Sequence, residues 1–153
     1  MKTCFFIGHR DAPDSLRTIL AETVERHIVE FGVGAFYVGG YGRFDALAAT
    51  AVRDAKKRHP EVTLMRLLPY HPFDQPVTVS EGYDGTFYPP GMETVPKRAA
   101  IVRANRYMVN NSDYLIAYVR YPSNGSRAVL ELALKRQERG LIHVTNLSGW
   151  YPA

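Results

Sequence analysis

The feature that most constrains the fold is an alternation of short apolar runs with amphipathic segments of helical period. Continuous apolar runs, typical of parallel strands covered on both faces, occupy residues 3–7, 35–38, 62–68, 114–119 and 141–145. Between them, apolar residues recur every three or four positions, as in a helix that packs on a sheet. Alternation of this kind predicts an α/β fold with a parallel sheet and right-handed crossovers.

We therefore expect a Rossmann-like three-layer sandwich, in which a mostly parallel five-stranded sheet of order 3-2-1-4-5 carries helices on both faces. The 153 residues, 1–153, make one nucleotide-binding domain in this interpretation. Residues 69–95 break the pattern and are expected to form a long loop over the site. Their aromatic side chains would either stack on a ligand or only cover the domain. The apolar tail, 146–153, is expected to pack on the domain or on another subunit.

Composition narrows the classes of function. The apolar and charged fractions, 46% and 22%, are those of a globular protein. The formal charge of +4 is modest, and Lys56-Lys57-Arg58 suits the C-terminal end of a helix, so nucleic acid is disfavoured as a partner. The single cysteine, Cys4, lies in an apolar run and suits a reducing compartment. No apolar run reaches the ~20 residues of a membrane span. We expect a cytoplasmic protein without membrane contact.

A glycine-rich turn, Gly39-Gly40-Tyr41-Gly42-Arg43-Phe44-Asp45, joins the second strand to the second helix. Such a turn lets backbone N–H groups approach a phosphate, and the positive end of the helix favours the anion. Asp45 could accept hydrogen bonds from sugar hydroxyls. The spacing is neither the dinucleotide fingerprint G-x-G-x-x-G nor a P-loop with its lysine. NAD-dependent hydride transfer and ATP hydrolysis are therefore disfavoured, and no cofactor is predicted.

Two further turns are expected at the same edge of the sheet, because ligands of open α/β sheets bind beyond the carboxyl ends of the strands at the switch point. They are Gly8-His9-Arg10 after the first strand and Asn124-Gly125-Ser126 after the fourth. An imidazole and a guanidinium beside a helix N-terminus suit phosphate recognition. The predicted ligand contacts at this edge are thus Gly8, His9, Arg10, Gly39, Gly40, Gly42, Asp45, Asn124, Gly125 and Ser126.

Structural interpretations of the same residues stay open at this stage. Gly8 would also serve a tight turn, and His9 would also bond to the backbone at a helix start. No metal site is predicted, because the five histidines are dispersed and the lone cysteine has no histidine close by.

Several stretches resemble one known family. Residues 3–10 (TCFFIGHR) resemble the "CFTGHR" start of bacterial proteins in the SLOG superfamily, named from the Smf (DNA-processing protein A) and Lonely Guy proteins. Residues 39–46 resemble its "GGxxGxD" element, 72–75 are similar to "PFxxQ", and 105–113 look like "NRWMVDxSD". The resemblance implies a Rossmann-like fold that binds nucleotides or nucleotide-derived ligands.

The resemblance also implies roles at the site for Asn105 and Arg106. Lonely Guy enzymes are phosphoribohydrolases that release a base from a nucleoside 5′-monophosphate, using the glutamate of "PGGxGTxxE". In this sequence Val129 stands at the position of that glutamate. The nearest carboxylate, Glu131, follows two residues later. Because two residues correspond to a rotation of roughly 200° around a helix, the Glu131 side chain should face away from the position of the Lonely Guy glutamate.

Three functions follow from these patterns. The first is a sensor or binding module for a nucleotide or nucleotide-derived small molecule. The second is an N-glycosidic-bond hydrolase, which needs a carboxylate near the sugar and a proton donor for the base. The third is single-stranded DNA binding, which the modest charge disfavours. Apolar helix faces also allow a homodimer. For the hydrolase the candidate carboxylates are Asp45, Glu81, Asp84 and Glu131, and the candidate acid is His9.

Overall fold

The computed structural model describes residues 1–73, 82–120 and 125–149. Within them the chain alternates strands and helices, with a short 3-10 helix at Met92–Thr94 before the third α-helix. The elements are β1 (Lys2–Gly8), α1 (Leu16–Val29), β2 (Val33–Val38), α2 (Arg43–Lys56), β3 (Thr63–Leu67), β4 (Gly85–Phe87), α3 (Lys97–Asn111), β5 (Tyr114–Tyr118), α4 (Gly125–Glu138) and β6 (His143–Asn146). No helix among the described residues has the length and apolar character needed to cross a membrane.

The strands form one sheet of order β4-β3-β2-β1-β5-β6, and every neighbouring pair is parallel. This confirms the α/β fold and the expected order, because the five predicted strands are β3-β2-β1-β5-β6. The predicted strand count of five is corrected to six. The extra strand, β4, lies inside the segment 69–95 that was expected to be a loop. It is only three residues long and contains glycine and threonine, so it gives no apolar run in the sequence.

Asp84 fastens β4 to the edge of the sheet. Its N–H donates to the Leu64 carbonyl at 2.8 Å, and its carboxylate accepts the Leu64 N–H at 2.7 Å. The same carboxylate pairs with Lys56 of α2. Asp84 was a candidate catalytic carboxylate in the sequence analysis. In the structure it attaches the start of β4 to β3 and α2.

Two hydrophobic layers cover the two faces of the sheet. Along β1 the side chains alternate, so Phe6 packs toward one layer and Phe5 toward the other. The first layer, beneath α1 and α2, includes Leu20, Phe36, Phe44 and Leu64, and the second, beneath α3 and α4, includes Met108, Leu115 and Leu130. Burial of each large apolar side chain contributes about 1.5–3 kcal/mol. With both faces covered, the carboxyl edge of the sheet is where strand ends and helix starts meet.

Candidate functional site

A cavity of about 460 Å³ lies at the carboxyl ends of the strands, in the size range of small-molecule pockets. The turns after β1 and β2 reach it, together with α3 and the first turn of α4. Of the predicted contacts, those that line this cavity are Gly8, His9, Arg10, Gly39, Asp45, Asn105, Gly125 and Ser126.

Four predicted residues are placed differently. Gly40 and Gly42 line a second, adjoining cavity rather than this one. Arg106 is exposed on α3 and is not among the lining residues. Asn124, like the candidate carboxylate Glu81 and the Trp150 tail, lies outside the described residues.

Asp45 stands at the start of α2, beside the glycine-rich turn. Its Oδ2 accepts a hydrogen bond from the Tyr41 N–H at 3.0 Å. Within the described part of the chain, Oδ1 has no hydrogen-bond partner. Burial raises the pKa of the Asp45 carboxyl to about 6, against the opposing effects of the Tyr41 hydrogen bond and of the Arg66 and Arg10 charges. The carboxylate thus closes the turn with one oxygen and offers the other to the cavity.

His9 is buried and committed to the main chain. Its Nε2 accepts the N–H of Arg120 at 2.9 Å, and its ring meets Tyr118 edge-on. A ring nitrogen that accepts an N–H carries no proton, so this is the neutral tautomer. Burial also lowers the pKa of His9. The geometry supports the structural interpretation of His9, which ties the end of β1 to the end of β5.

Packing within the chain accounts for two glycines of the turns, Gly8 and Gly42, and brings a third, Gly40, close to the end of a long side chain. A Cβ at Gly8 would overlap the buried ring of Phe44. Gly42 has φ 139°, and its Cβ would stand 2.6 Å from the Cα of Arg10. A Cβ at Gly40 would overlap the guanidinium of Arg66. Because glycine has no side chain, the turns can lie close to each other. The sequence alone does not distinguish this role from close approach of the backbone to a phosphate.

Gly125 and Ser126 present the N-terminus of α4 to the cavity. A Cβ on Gly125 would meet no atom of the described residues within 4 Å. The Ser126 hydroxyl donates to the Gly8 carbonyl at 3.4 Å, which ties α4 to the end of β1. The first N–H groups of a helix have no partner within it, and its dipole favours an anion there. Arg10, exposed at the same cavity, adds a positive charge.

Apolar side chains form the remaining wall. Ile101 and Val102 of α3 face Leu67 and Pro69 of the β3 end across the cavity, while Asn105 supplies an amide among them. Sequence reasoning selected Asn105 but missed the apolar residues, because an apolar position at a helix surface looks the same whether it meets a sheet or a ligand. Pro69, directly after the third strand, was a usable signal.

The candidate catalytic carboxylates are dispersed. Glu131 forms an ion pair with Arg127 at 2.8 Å along α4 and does not line the cavity. Val129 does line it, so the position of the Lonely Guy glutamate reaches the cavity with an apolar side chain. Asp11, which the sequence did not single out, is an exposed carboxylate at the cavity. Among the described residues, no three metal-binding side chains cluster closely enough to hold an ion.

Comparison with known proteins gives a fold. No protein-family profile matches the sequence, and no curated protein matches it either. A solved structure of the molybdenum cofactor carrier protein MCP from Chlamydomonas reinhardtii aligns over 95% of this chain and 90% of its own, with a TM-score of 0.58. The two chains share one fold.

A second structure of the Chlamydomonas Moco carrier protein aligns over 97% of this chain and 93% of its own, with a TM-score of 0.52. Both carrier structures are 17% identical to this chain. At that identity the likeness to the carrier confirms the fold alone, and membership of the SLOG superfamily stays a prediction.

Proposed function

We propose that this chain binds a phosphorylated small molecule with a flat nitrogen heterocycle, a nucleotide or a nucleotide-derived compound, as a binding module or sensor. One observation carries the proposal. A single cavity joins the open N-terminus of α4, the Arg10 guanidinium, the unpartnered oxygen of Asp45 and an apolar wall. These are the groups that a phosphate, a sugar and a ring require.

The phosphate belongs at Gly125 and Ser126 rather than on the glycine-rich turn. The Asp45 carboxylate already accepts the Tyr41 N–H in that turn, so a phosphate there would face a like charge. The α4 turn has no carboxylate in its first residues, and Arg10 lies at the same cavity. Charge-assisted hydrogen bonds from both would hold the anion.

The rest of the ligand follows from this placement. Hydroxyl groups of a sugar would donate to Oδ1 of Asp45, whose other oxygen is fixed by the turn. A flat ring would lie against Ile101 and Val102, with the Asn105 amide bonding to its edge. Burial of the ring against this apolar wall supplies the non-directional part of the affinity.

Binding without base release is favoured over hydrolysis. Cleavage of an N-glycosidic bond passes through an oxocarbenium-like transition state that a nearby carboxylate must support. Val129 puts an apolar group where the Lonely Guy resemblance implies that carboxylate, and Glu131 is paired with Arg127 elsewhere. His9, the candidate acid, holds the main chain of Arg120.

The molybdenum cofactor belongs to the same chemical class, because it is a phosphorylated pterin with a flat nitrogen heterocycle. The structural neighbours are named as carriers of that cofactor. The fold likeness makes a pterin phosphate a ligand to test beside the nucleotides.

Calorimetric titration of the full chain tests the proposal. AMP, NAD, ADP-ribose and a phosphorylated pterin are titrated separately, and free base is sought by chromatography after incubation. We expect saturable 1:1 binding of at least one compound and no free base. If none of the four compounds binds, the proposal is contradicted. If free base is released, the N-glycosidic-bond hydrolase is the better interpretation.

Variants locate the phosphate. Ser126→Asp puts a negative charge at the α4 N-terminus. It should lower the affinity for whichever compound binds about tenfold or more, which is a loss of about 1.4 kcal/mol of binding free energy. Arg139→Gln, at the far end of α4, is the control and should bind as the wild type does. Equal affinity of Ser126→Asp and wild type would place the phosphate elsewhere.

A further inference from the structure

A second cavity, of about 490 Å³, adjoins the first on the other side of the glycine-rich turn. Gly39 and Asp45 line both cavities and so lie between the two spaces. The second cavity runs along the start of α2 past Ala46 to Arg53, with Tyr83 on its far side. Nothing in the proposed binding mode uses this space.

Arg53 is the cation that lines this cavity among the described residues. Its guanidinium lies over the Tyr83 ring, 5.0 Å from the ring centroid. The Arg53 side chain also passes over Gly82, where a Cβ would stand 2.6 Å from its Cδ. Arginine is thus held in place before any ligand arrives, which lowers the entropy cost of binding.

The Nε of Arg53 is buried and has no hydrogen-bond acceptor within the described part of the chain. A buried charged donor without an acceptor is costly, and native structures seldom leave one so. The Thr50 hydroxyl donates to the Ala46 carbonyl at 3.0 Å and makes no hydrogen bond with the Arg53 Nε. The lining otherwise consists of glycines and alanines around Asp45. Among the described residues that line it, the cavity thus has the positive charge of Arg53 at one end and a single carboxylate, Asp45, at the other.

We propose that the Arg53 end of this second cavity, about two helical turns along α2 from Asp45, is a subsite for a second anionic group of the ligand, with Arg53 as its counter-ion. The inference rests on the proposed function, since the first anionic group lies at Gly125 and Ser126 of the first cavity. The ligand is then a compound with two separate anionic groups and a hydroxyl group between them. Asp45, at the junction of the cavities, faces the middle of such a molecule. Nucleoside bisphosphates have this chemistry.

Titration with matched nucleotides tests the subsite. The probes are AMP, adenosine 2′,5′-bisphosphate and adenosine 3′,5′-bisphosphate, each with the full chain. We expect at least one bisphosphate to bind about tenfold or more tightly than AMP, as a charge-assisted contact to the half-buried Arg53 side chain provides. Arg53→Gln should remove this advantage and leave the affinity for AMP unchanged.

Two further variants sharpen the test. Ala46→Leu fills the second cavity from an exposed helix position and removes no hydrogen-bonding side chain, so it too should abolish the bisphosphate advantage. Arg139→Gln makes the same charge change away from both cavities and should keep the advantage.

The outcomes separate the two proposals. Failure of AMP and both bisphosphates to bind, together with failure of NAD, ADP-ribose and the phosphorylated pterin, overturns the proposed function itself. Failure of AMP and both bisphosphates while one of the other compounds binds overturns only the second subsite. AMP binding without tighter binding of either bisphosphate overturns only the second subsite. If a bisphosphate still binds more tightly than AMP in both Arg53→Gln and Ala46→Leu, the second subsite is overturned as well, because the second phosphate then lies elsewhere.

Discussion

At the scale of single residues, Asp45 combines a structural and a ligand-facing oxygen. Asp45→Asn keeps an oxygen that can accept the Tyr41 N–H but removes the charge. We expect the variant to fold and to bind AMP about tenfold more weakly, since a hydrogen bond to a charged acceptor contributes about 1.5–3 kcal/mol. Calorimetry with circular dichroism checks both statements. Unchanged AMP affinity would make Asp45 a purely structural residue.

The same carboxyl predicts a pH dependence of stability. Its pKa of about 6 in the folded protein exceeds the ordinary 3.8, so the folded state holds the proton more firmly. Stability from this group is therefore present below pH ~4 and is lost as the pH rises to about 6, by at most about 3 kcal/mol. Asp45→Asn removes this contribution. Denaturant titrations of both proteins between these pH values measure it, and parallel curves would contradict the raised pKa.

The structure also separates two glycines that look alike in the sequence. Gly8→Ala drives a Cβ into the buried Phe44 ring and should lower the free energy of unfolding by about 2 kcal/mol. Gly125→Ala meets open space and should change it by no more than about 0.5 kcal/mol. Thermal unfolding of the pair checks the contrast. Equal destabilisation would mean that both turns are packed alike.

Strand order allowed the sequence to predict which turns lie together, while their contacts with a ligand stay predictions. The turns of Gly8, Gly39 and Gly125 were gathered correctly, because parallel strands place their carboxyl ends on one edge. Individual roles could not be predicted. The hydrogen bond from the Arg120 N–H to His9 joins residues 111 positions apart in the sequence, so no local sequence pattern predicts it.

At the scale of elements, β4 is the part of the sheet that depends on one side chain. Asp84→Ala removes the acceptor of the Leu64 N–H and the partner of Lys56. We expect a loss of about 1–3 kcal/mol and faster hydrogen exchange in β4, with AMP affinity unchanged. Hydrogen exchange followed by mass spectrometry measures the effect.

Glu131→Ala is the matched control for that substitution, because Glu131 was also a candidate catalytic carboxylate. Its ion pair with Arg127 is exposed and contributes about 0.5 kcal/mol or less. A loss of AMP affinity in either variant would indicate that the substituted carboxylate takes part in ligand binding. Sequence analysis missed β4 because a strand of three residues is too short for an apolar pattern. It is held by backbone pairing with β3 and by the Asp84 carboxylate, which accepts the Leu64 N–H.

At the scale of the whole molecule, the fold is set by features that survive great sequence divergence. The continuous apolar runs and the helical stripes predicted the α/β sandwich, and the carrier structures share it at 17% identity. The choice of ligand rests on a few side chains at one edge, which is why fold alone does not supply it. The homodimer and the cytoplasmic location stay predictions.

Ligand binding should stabilise the whole domain. A compound that binds only the folded state at 100 times its Kd adds about 2.7 kcal/mol, which raises the Tm of a domain of this size by about 5–10 °C. AMP and the phosphorylated pterin are compared in thermal scans, with a single-stranded oligonucleotide as the third arm. A rise with the oligonucleotide alone, lost steeply with added salt, would favour the DNA interpretation over a small-molecule ligand.

The most direct test of the central claim is a titration of isotope-labelled protein with AMP, followed through its backbone amide resonances by NMR. Gly125 and Ser126 at the α4 N-terminus, and Gly39 beside Asp45, should shift saturably, while Gly140 at the far end of α4 should not move. Absence of any saturable shift, or shifts confined to residues away from this edge of the sheet, would contradict the site.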